Sequence, residues 1–329
     1  MTPVVAAPGQ ERTILLTGAA GFVGGAVRPA LEAAGWHVRA LTRNAARAAQ
    51  HAPGLDWLEG DVADRDSMAS ALEGAHAALY LVHGIREGAG YHEREVAAAA
   101  GFAEVAAEAG VQRIVYLGGV APTGPGSEHL QSRVEVGETL RAGSVPTIEL
   151  RASMIVGHGS LSWLIVRDLA ARLPVMILPR WLRSRTEPVA IDDVVVALVR
   201  ALDLPIEANA WFDVPGPEIL SGKEFLDRTA VLMGLGAPLS IDVPFLSPRL
   251  SSLWIRLVTR ADWSVAREVV IGLTEDLLAR DDDFWARIDH PPRVGFDEAA
   301  RRALAAERGA RPASGFWALV ERARGVGSG

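Results

Sequence analysis

An apolar run that passes into three glycines spaced three apart constrains this chain more than any other feature. Residues 13–17, Thr-Ile-Leu-Leu-Thr, read as a short strand. Gly18, Gly21 and Gly24 follow, overlapped by Phe22, Val23, Val27 and Leu31 at helical spacing as far as Gly35. Residues 37–42 read as a second strand. Strand, glycine turn, helix and strand in about 30 residues is the βαβ unit that binds dinucleotides. Gly18 permits the tight turn, Gly21 lets backbone approach a diphosphate, and Gly24 lets the helix pack closely on the sheet. The helix N-terminus then offers N–H groups and positive dipole to the phosphates. A glycine turn with no ligand is the plainer alternative, and the βαβ context argues against it.

The remaining strands follow at the same rhythm. They are expected at 55–57, 77–82, 113–117 and 147–151, with an alanine-rich helix at 93–109 closed by Gly110. Strands alternating with helices at this spacing predict an α/β, Rossmann-type doubly wound parallel sheet. After Ile155 the pattern loosens: helix 163–173, strand 188–191, helix 192–202, strand 211–214, helix 223–233, then short helices at 251–258, 264–273 and 297–307. The expected organisation is a dinucleotide-binding domain at 12–155 and a smaller α+β substrate lobe at 156–324, some of whose elements return to the sheet. Residues 1–11 and 325–329 read as loose tails.

Bulk properties narrow the function. Of 329 residues, 49% are hydrophobic and 22% charged, which excludes wholesale disorder. The chain has no cysteine, which excludes a disulfide framework, a thiolate nucleophile and a cysteine zinc site. A formal net charge of -7 argues against non-specific nucleic-acid binding. No run of 18 apolar residues suggests a membrane span, and the N-terminus lacks a signal-peptide pattern. The expectation is a cytoplasmic protein with a small-molecule substrate, its oligomeric state open.

Cofactor choice is read at the end of the second strand, where an Asp or Glu would favour NAD. Thr42-Arg43-Asn44 stands there instead. A guanidinium suits a 2′-phosphate by charge and by its fork of donors, so NADP(H) is expected; otherwise Arg43 is a solvated residue starting a helix. The expected cofactor-binding set is Gly18, Ala20, Gly21, Phe22, Val23, Gly24, Arg43, Asp61, Val62, Leu81, Val82 and Ser153. Asp61 and Val62 are expected beside the adenine, with Asp61 alternatively capping the next helix.

The blocks TGAAGFVGG (17–25), GDVAD (60–64), RIVYLGGV (113–120), ELRASMIVGHGS (149–160) and PVAIDDVVVAL (188–198) resemble the atypical short-chain dehydrogenase/reductase superfamily. Within it they look like the NmrA-like NAD(P)H-binding proteins, relatives of the accessory nucleotide-binding subunit of respiratory complex I. FLSPRLSSLWIRLVT (245–259) and GFDEAARRALA (295–305) extend the resemblance. It implies an NADP(H) site with a substrate lobe over the nicotinamide. It also implies a catalytic Tyr-x-x-x-Lys with an upstream serine. Here Tyr80, Tyr91 and Tyr116 lack that lysine, His129-Leu-Gln-Ser-Arg133 stands where the motif belongs, and the serine position falls near Gly118 and Gly119.

His129 and Arg133 share a helix face if the segment is helical. A histidine can donate a proton near neutral pH, and an arginine can hold a ribose hydroxyl or an oxyanion. Arg133 cannot give up a proton, however, and its charge lowers the pKa of His129. The alternative is a solvated face of Ser127, Glu128, Gln131, Ser132, Glu135 and Glu138. His83 is a third catalytic candidate, or else a hydrogen-bonded loop residue. Met154, His158 and Ser160 lie further along the same sheet edge. Trp163, Trp181, Trp254 and Trp285 either fill core or line an apolar pocket. Asp281–Asp283 reads as a solvated turn, and Asp192 and Asp193 as helix-dipole partners. No metal site is expected. The preferred reading is an oxidoreductase moving hydride to or from an apolar carbonyl, enone, quinone or imine. Rivals are a non-catalytic NADP(H) sensor or assembly protein, and a redox-neutral enzyme on the same fold.

Overall fold

The computed structural model describes residues 4, 11–83, 90–122, 124, 126–173, 175–178, 180–206, 208–242, 275–290, 292–307, 320 and 323. The first half alternates strictly: β1 (Arg12–Leu16), α1 (Phe22–Ala33), β2 (Trp36–Thr42), α2 (Ala45–His51), β3 (Asp56–Glu59), α3 (Arg65–Leu72), β4 (Ala77–Tyr80), α4 (Tyr91–Glu108), β5 (Arg113–Gly119), α5 (Glu128–Ala142) and β6 (Thr147–Ala152). Then come β7 (Ile155–Val156), α6 (Leu161–Arg172), β8 (Val175–Leu178), a 3-10 turn (Arg180–Arg183), β9 (Arg185–Thr186), β10 (Val189–Ala190) and α7 (Ile191–Asp203). The rest are β11 (Ala210–Asp213), β12 (Leu220–Ser221), α8 (Gly222–Leu232), β13 (Leu239–Asp242), α9 (Asp283–Arg287) and α10 (Phe296–Glu307).

Seven strands form one sheet in the order β11-β6-β5-β4-β1-β2-β3, and every pairing is parallel. This is the expected Rossmann-type α/β fold. Side chains of a strand alternate between faces, so each face has its own core. Ile14, Leu16, Leu79, Val115, Leu117, Ile148 and Leu150 face Val27, Leu31, Val194 and Leu198 of α1 and α7. Leu15, Ala78, Tyr80, Ile114 and Tyr116 face Met68, Leu72, Phe102, Val136 and Leu140 of α3, α4 and α5. Burying each large apolar side chain contributes roughly 1.5–3 kcal/mol.

Several boundaries differ from expectation for local reasons. β4 stops at Tyr80 because the Leu81 N–H leaves the ladder to donate to Thr17 Oγ1 at 2.9 Å. β5 runs on to Gly119, which pairs with Ala152. The strand expected at 188–191 is only β10, and Ile191 already begins α7. Val4 is buried in the α1-side core, and residues 1–3 and 5–10 lie outside the described residues. Beyond residue 155, β11 extends the sheet by pairing with β6, and α7 packs on α1. A third core joins Met154, Trp163, Phe225, Phe296 and Ala300 of the later elements. The helices expected at 251–258 and 264–273, Trp254, the block 245–259 and the tail 325–329 lie outside the described residues.

Candidate functional site

The glycine turn is built as its spacing requires. Gly18 adopts φ +65°, and a Cβ there would stand 2.7 Å from the Leu81 carbonyl oxygen. A Cβ on Gly24 would stand 2.3 Å from the Gly18 carbonyl oxygen and 2.8 Å from Ala19 Cα. Gly21 is the N-cap of α1 and makes no side-chain capping bond, and the first turn of α1 holds no acidic residue. The first-turn amides have no intrahelical partner, so backbone donors and dipole are both available to an anion. These residues fit a dinucleotide diphosphate. Thr17 anchors the turn, its hydroxyl donating to the Leu79 carbonyl at 3.2 Å. The Phe22 ring turns away, against the backbone of Gly157 and Gly159, so toward a diphosphate Phe22 has its amide to give.

Arg43 follows β2 and is exposed. Asn44, not Arg43, starts α2: its Oδ1 accepts from the Arg47 N–H at 2.8 Å. Asp61 does not cap α3. It turns its own loop by accepting from the Ala63 N–H at 3.0 Å, while Asp64 is the cap and accepts from the Asp66 N–H. Val62 and Val82 are half-buried against the α3–α5 core.

The structure brings His83, His129 and Arg133 together across 50 residues of chain. α5 is helical from Glu128, capped by Ser127, so His129 and Arg133 do share a face. The Arg133 Nη2 donates to the Leu117 carbonyl at 2.7 Å, and Nη1 lies 3.0 Å from Nδ1 and 2.9 Å from Nε2 of His83. Gly119 makes the seat, since a Cβ there would come within 3.1 Å of Arg133 Nε. The Tyr116 hydroxyl donates to the Arg133 carbonyl at 3.1 Å.

Electrostatics fixes the protonation of this cluster. Burial and then the Arg133 guanidinium push the His129 pKa down to about 3. Removal from water, then Arg133, then His129 hold His83 well below the usual imidazole range. His83 is exposed, so its contact with Arg133, and not burial, is the firmer cause. Both imidazoles are neutral at neutral pH and hold no imidazolium proton to give. Burial pushes the phenols of Tyr80 and Tyr116 above their ordinary value. The single lysine, Lys223, lies in α8 and pairs with Asp227.

The solvated reading of α5 holds for Glu128, Gln131, Glu135 and Glu138, which are exposed. It fails for the buried Ser127 and Ser132. Ser127 is the cap, and Ser132 donates to Glu95 of α4. Ser153 sits beyond β6 with its hydroxyl donating to the Glu187 carbonyl at 2.8 Å. Met154 is core, His158 is exposed, and Ser160 caps α6 while donating to the Ile155 carbonyl at 2.8 Å. Trp163 and Trp285 are buried core with satisfied indoles, bonded to Glu307 and the Pro215 carbonyl. The Trp181 side chain lies outside the described residues.

Asp281, Asp282 and Asp283 are exposed as expected, but they lead into a helix and not a turn, with Asp282 the N-cap of α9. Asp193 is more than a dipole partner. It is buried, lies 2.9 Å from His290 Nε2, and accepts from the Val294 N–H at 2.8 Å. Among the described residues no group of acidic or histidine side chains could hold a metal, and no helix is long and apolar enough to cross a membrane.

A doubly wound parallel sheet with this turn after its first strand defines a Rossmann-type dinucleotide fold. Residues 10–157 match the NmrA-like family, so the resemblance carried by the early motifs is borne out over that stretch. The kinship to the complex I subunit rests on the sequence motifs alone. No curated protein matches the chain. Among solved structures, the triphenylmethane reductase of Citrobacter sp., complexed with NADP(H), is similar at 17% identity and TM-score 0.69, covering 88% of this chain and 99% of that one. The UDP-glucose 4-epimerase of Thermotoga maritima, solved with UDP-glucose, is similar at 15% and 0.69, covering 90% and 98%. A double mutant of the dTDP-glucose 4,6-dehydratase DesIV from Streptomyces venezuelae, with NAD and DAU bound, is similar at 19% and 0.69, covering 91% and 97%.

Proposed function

We propose that the chain is an NADP(H)-dependent oxidoreductase acting on a small apolar carbonyl, enone, quinone or imine held beneath the segment that follows residue 155. The observation that carries this reading is the order of groups along one edge of the sheet. Arg43 follows β2, the glycine turn follows β1, Leu81 to His83 follow β4, Arg133 lies over the end of β5, and Ser153 follows β6. These strands are neighbours in that order, and ligands of open α/β sheets bind at the carboxyl ends of the strands.

The turn of Gly18, Ala20, Gly21, Phe22, Val23 and Gly24 would hold the diphosphate, with the Gly21 amide closing the turn on the Gly18 carbonyl, and Arg43 would hold a 2′-phosphate. Asp61 and Val62 would flank the adenine, and Leu81, Val82 and Ser153 the other end. When bound, the cofactor supplies or accepts hydride at nicotinamide C4. Arg133 stabilises negative charge on the acceptor, while the neutral His83 and His129 orient it by hydrogen bonding. The NADP(H)-bound Citrobacter reductase supports the choice of cofactor and reaction class.

Calorimetry with NADPH and NADH, followed by absorbance of NADPH mixed with ketones, enones, quinones and imines, tests the reading. Tighter binding of NADPH and turnover of at least one acceptor are expected. Tight binding without turnover makes the protein a nucleotide sensor, and no heat with either dinucleotide removes the proposal.

A further inference from the structure

Arg133 has no carboxylate partner among the described residues. Arg12, Arg65, Arg141, Arg151, Arg185 and Arg228 are each ion-paired. Arg133 is half-buried and is held by neutral acceptors alone, the Leu117 carbonyl and the His83 ring. A guanidinium only donates, so a His83 nitrogen that receives its hydrogen is unprotonated. Among the described residues the charge is therefore held in place, partly desolvated and without an acidic partner. Its Nε lies beside Gly119 at the end of β5, where an added Cβ would come within 3.1 Å. A preorganised cation of this kind stabilises negative charge that develops on a bound group.

We propose that Arg133 is an oxyanion-binding residue for a phenolate-like group, so that the acceptor reduced at this site is a quinone and not a simple ketone. The inference rests on the oxidoreductase reading above. In the reaction the C–H bond of the reduced dinucleotide breaks, its hydrogen and electron pair form an O–H bond at one quinone oxygen, the ring becomes aromatic, and the opposite carbonyl opens to a phenolate C–O⁻ whose charge spreads over the ring. The reduced dinucleotide supplies hydrogen and electrons and is itself oxidised, and water later supplies the proton that completes the hydroquinone. A ketone leaves a localised alkoxide, far more basic, which needs a proton as it forms. The neutral state of His83 and His129 agrees with this division, because neither carries an imidazolium proton to deliver.

The first test needs no turnover. 4-Nitrophenol, whose ionisation is visible by absorbance, is titrated against the full chain with NADP⁺ and without it. Its apparent pKa is expected to fall on binding by about one unit, a tenfold change in ionisation, and Arg133→Gln is expected to abolish that shift. Should Arg133→Gln fail to fold, Gly119→Ala, which crowds the guanidinium, is expected to reduce it. Failure of 4-nitrophenol to bind, an unchanged pKa, a shift that survives both variants, or equal affinity for benzoate would each overturn the proposal. The second test compares para-benzoquinone with cyclohexanone under NADPH, with the quinone expected to turn over at least ~100-fold faster. Equal rates would overturn the quinone assignment. Failure of the oxidoreductase reading looks different: no acceptor turns over, while the phenol titration still reports on Arg133.

Discussion

Gly24 and Gly18 approach so closely that the carbonyl oxygen of Gly18 occupies the space a Cβ on residue 24 would need, 2.3 Å away. Both partners are backbone, so neither yields cheaply. Gly24→Ala is expected to destabilise the fold by about 1–3 kcal/mol, as overpacking does, and to weaken NADPH binding by displacing the amides of α1. Gly25, one residue on, has open space around it. Gly25→Ala should stabilise the helix by about 0.5–1 kcal/mol. Urea melts of the two variants check the contrast, and equal effects would contradict it.

Arg43 stands where an acidic residue would select against a 2′-phosphate. A hydrogen bond to a charged group contributes about 1.5–3 kcal/mol. Arg43→Ala should therefore weaken NADPH roughly tenfold to a hundredfold and leave NADH nearly unchanged. Calorimetry with both dinucleotides reads this directly, and a parallel loss for both would remove Arg43 from the selection.

Local pattern made the first βαβ unit legible, because strand, turn and helix each follow from neighbouring residues. It also made β11 legible as a strand. It did not place β11 beside β6, because that pairing joins Ala210 to Ile148 across a stretch whose periodicity says nothing of neighbours. His83 and Arg133 were both readable as candidates, one after a strand and one on a helix. Their contact follows only from the adjacency of β4 and β5. Asp61 and Asp64 both precede α3, and only the residue immediately before Arg65 could cap it. The role of Asp193 was hidden, because its partner His290 lies 97 residues away.

Asp192 and Asp193 look alike in sequence and behave oppositely in the fold. Asp192 is exposed and pairs with Arg302 at 2.6 Å across solvent. Asp193 is buried and fastens α7 to the segment at 290–294, where the His290 ring also stacks on Trp285 at 4.9 Å. Surface pairs contribute about 0–1 kcal/mol, whereas removing a buried charged acceptor strands its donors. Asp193→Ala should cost about 3 kcal/mol or more and Asp192→Ala less than about 1 kcal/mol. Denaturant midpoints of both variants decide it, and comparable losses would show that the buried contact adds little.

His129 makes stability depend on pH in a definite direction. Its pKa falls from 6.5 to about 3 on folding. Above the unfolded value both states are neutral and the group contributes nothing to the pH dependence. Below it the unfolded chain binds a proton that the folded protein refuses. Stability is therefore lost as pH falls through this window, at a slope approaching about 1.4 kcal/mol per unit. His83, also held low, acts in the same sense. Glu187 and Asp213 act against both, because burial raises their carboxyl pKa and folding then favours their protonated forms. Glu224, Asp276 and Glu298, held low by their hydrogen bonds, add to the loss at acid pH, so the quantity to measure is the difference between the native chain and His129→Gln. The variant should lose less stability between pH 6.5 and pH 4, while the two proteins keep a constant separation above pH 7. Parallel curves through the acid range would mean that His129 titrates freely and that the cation beside it does not hold it neutral.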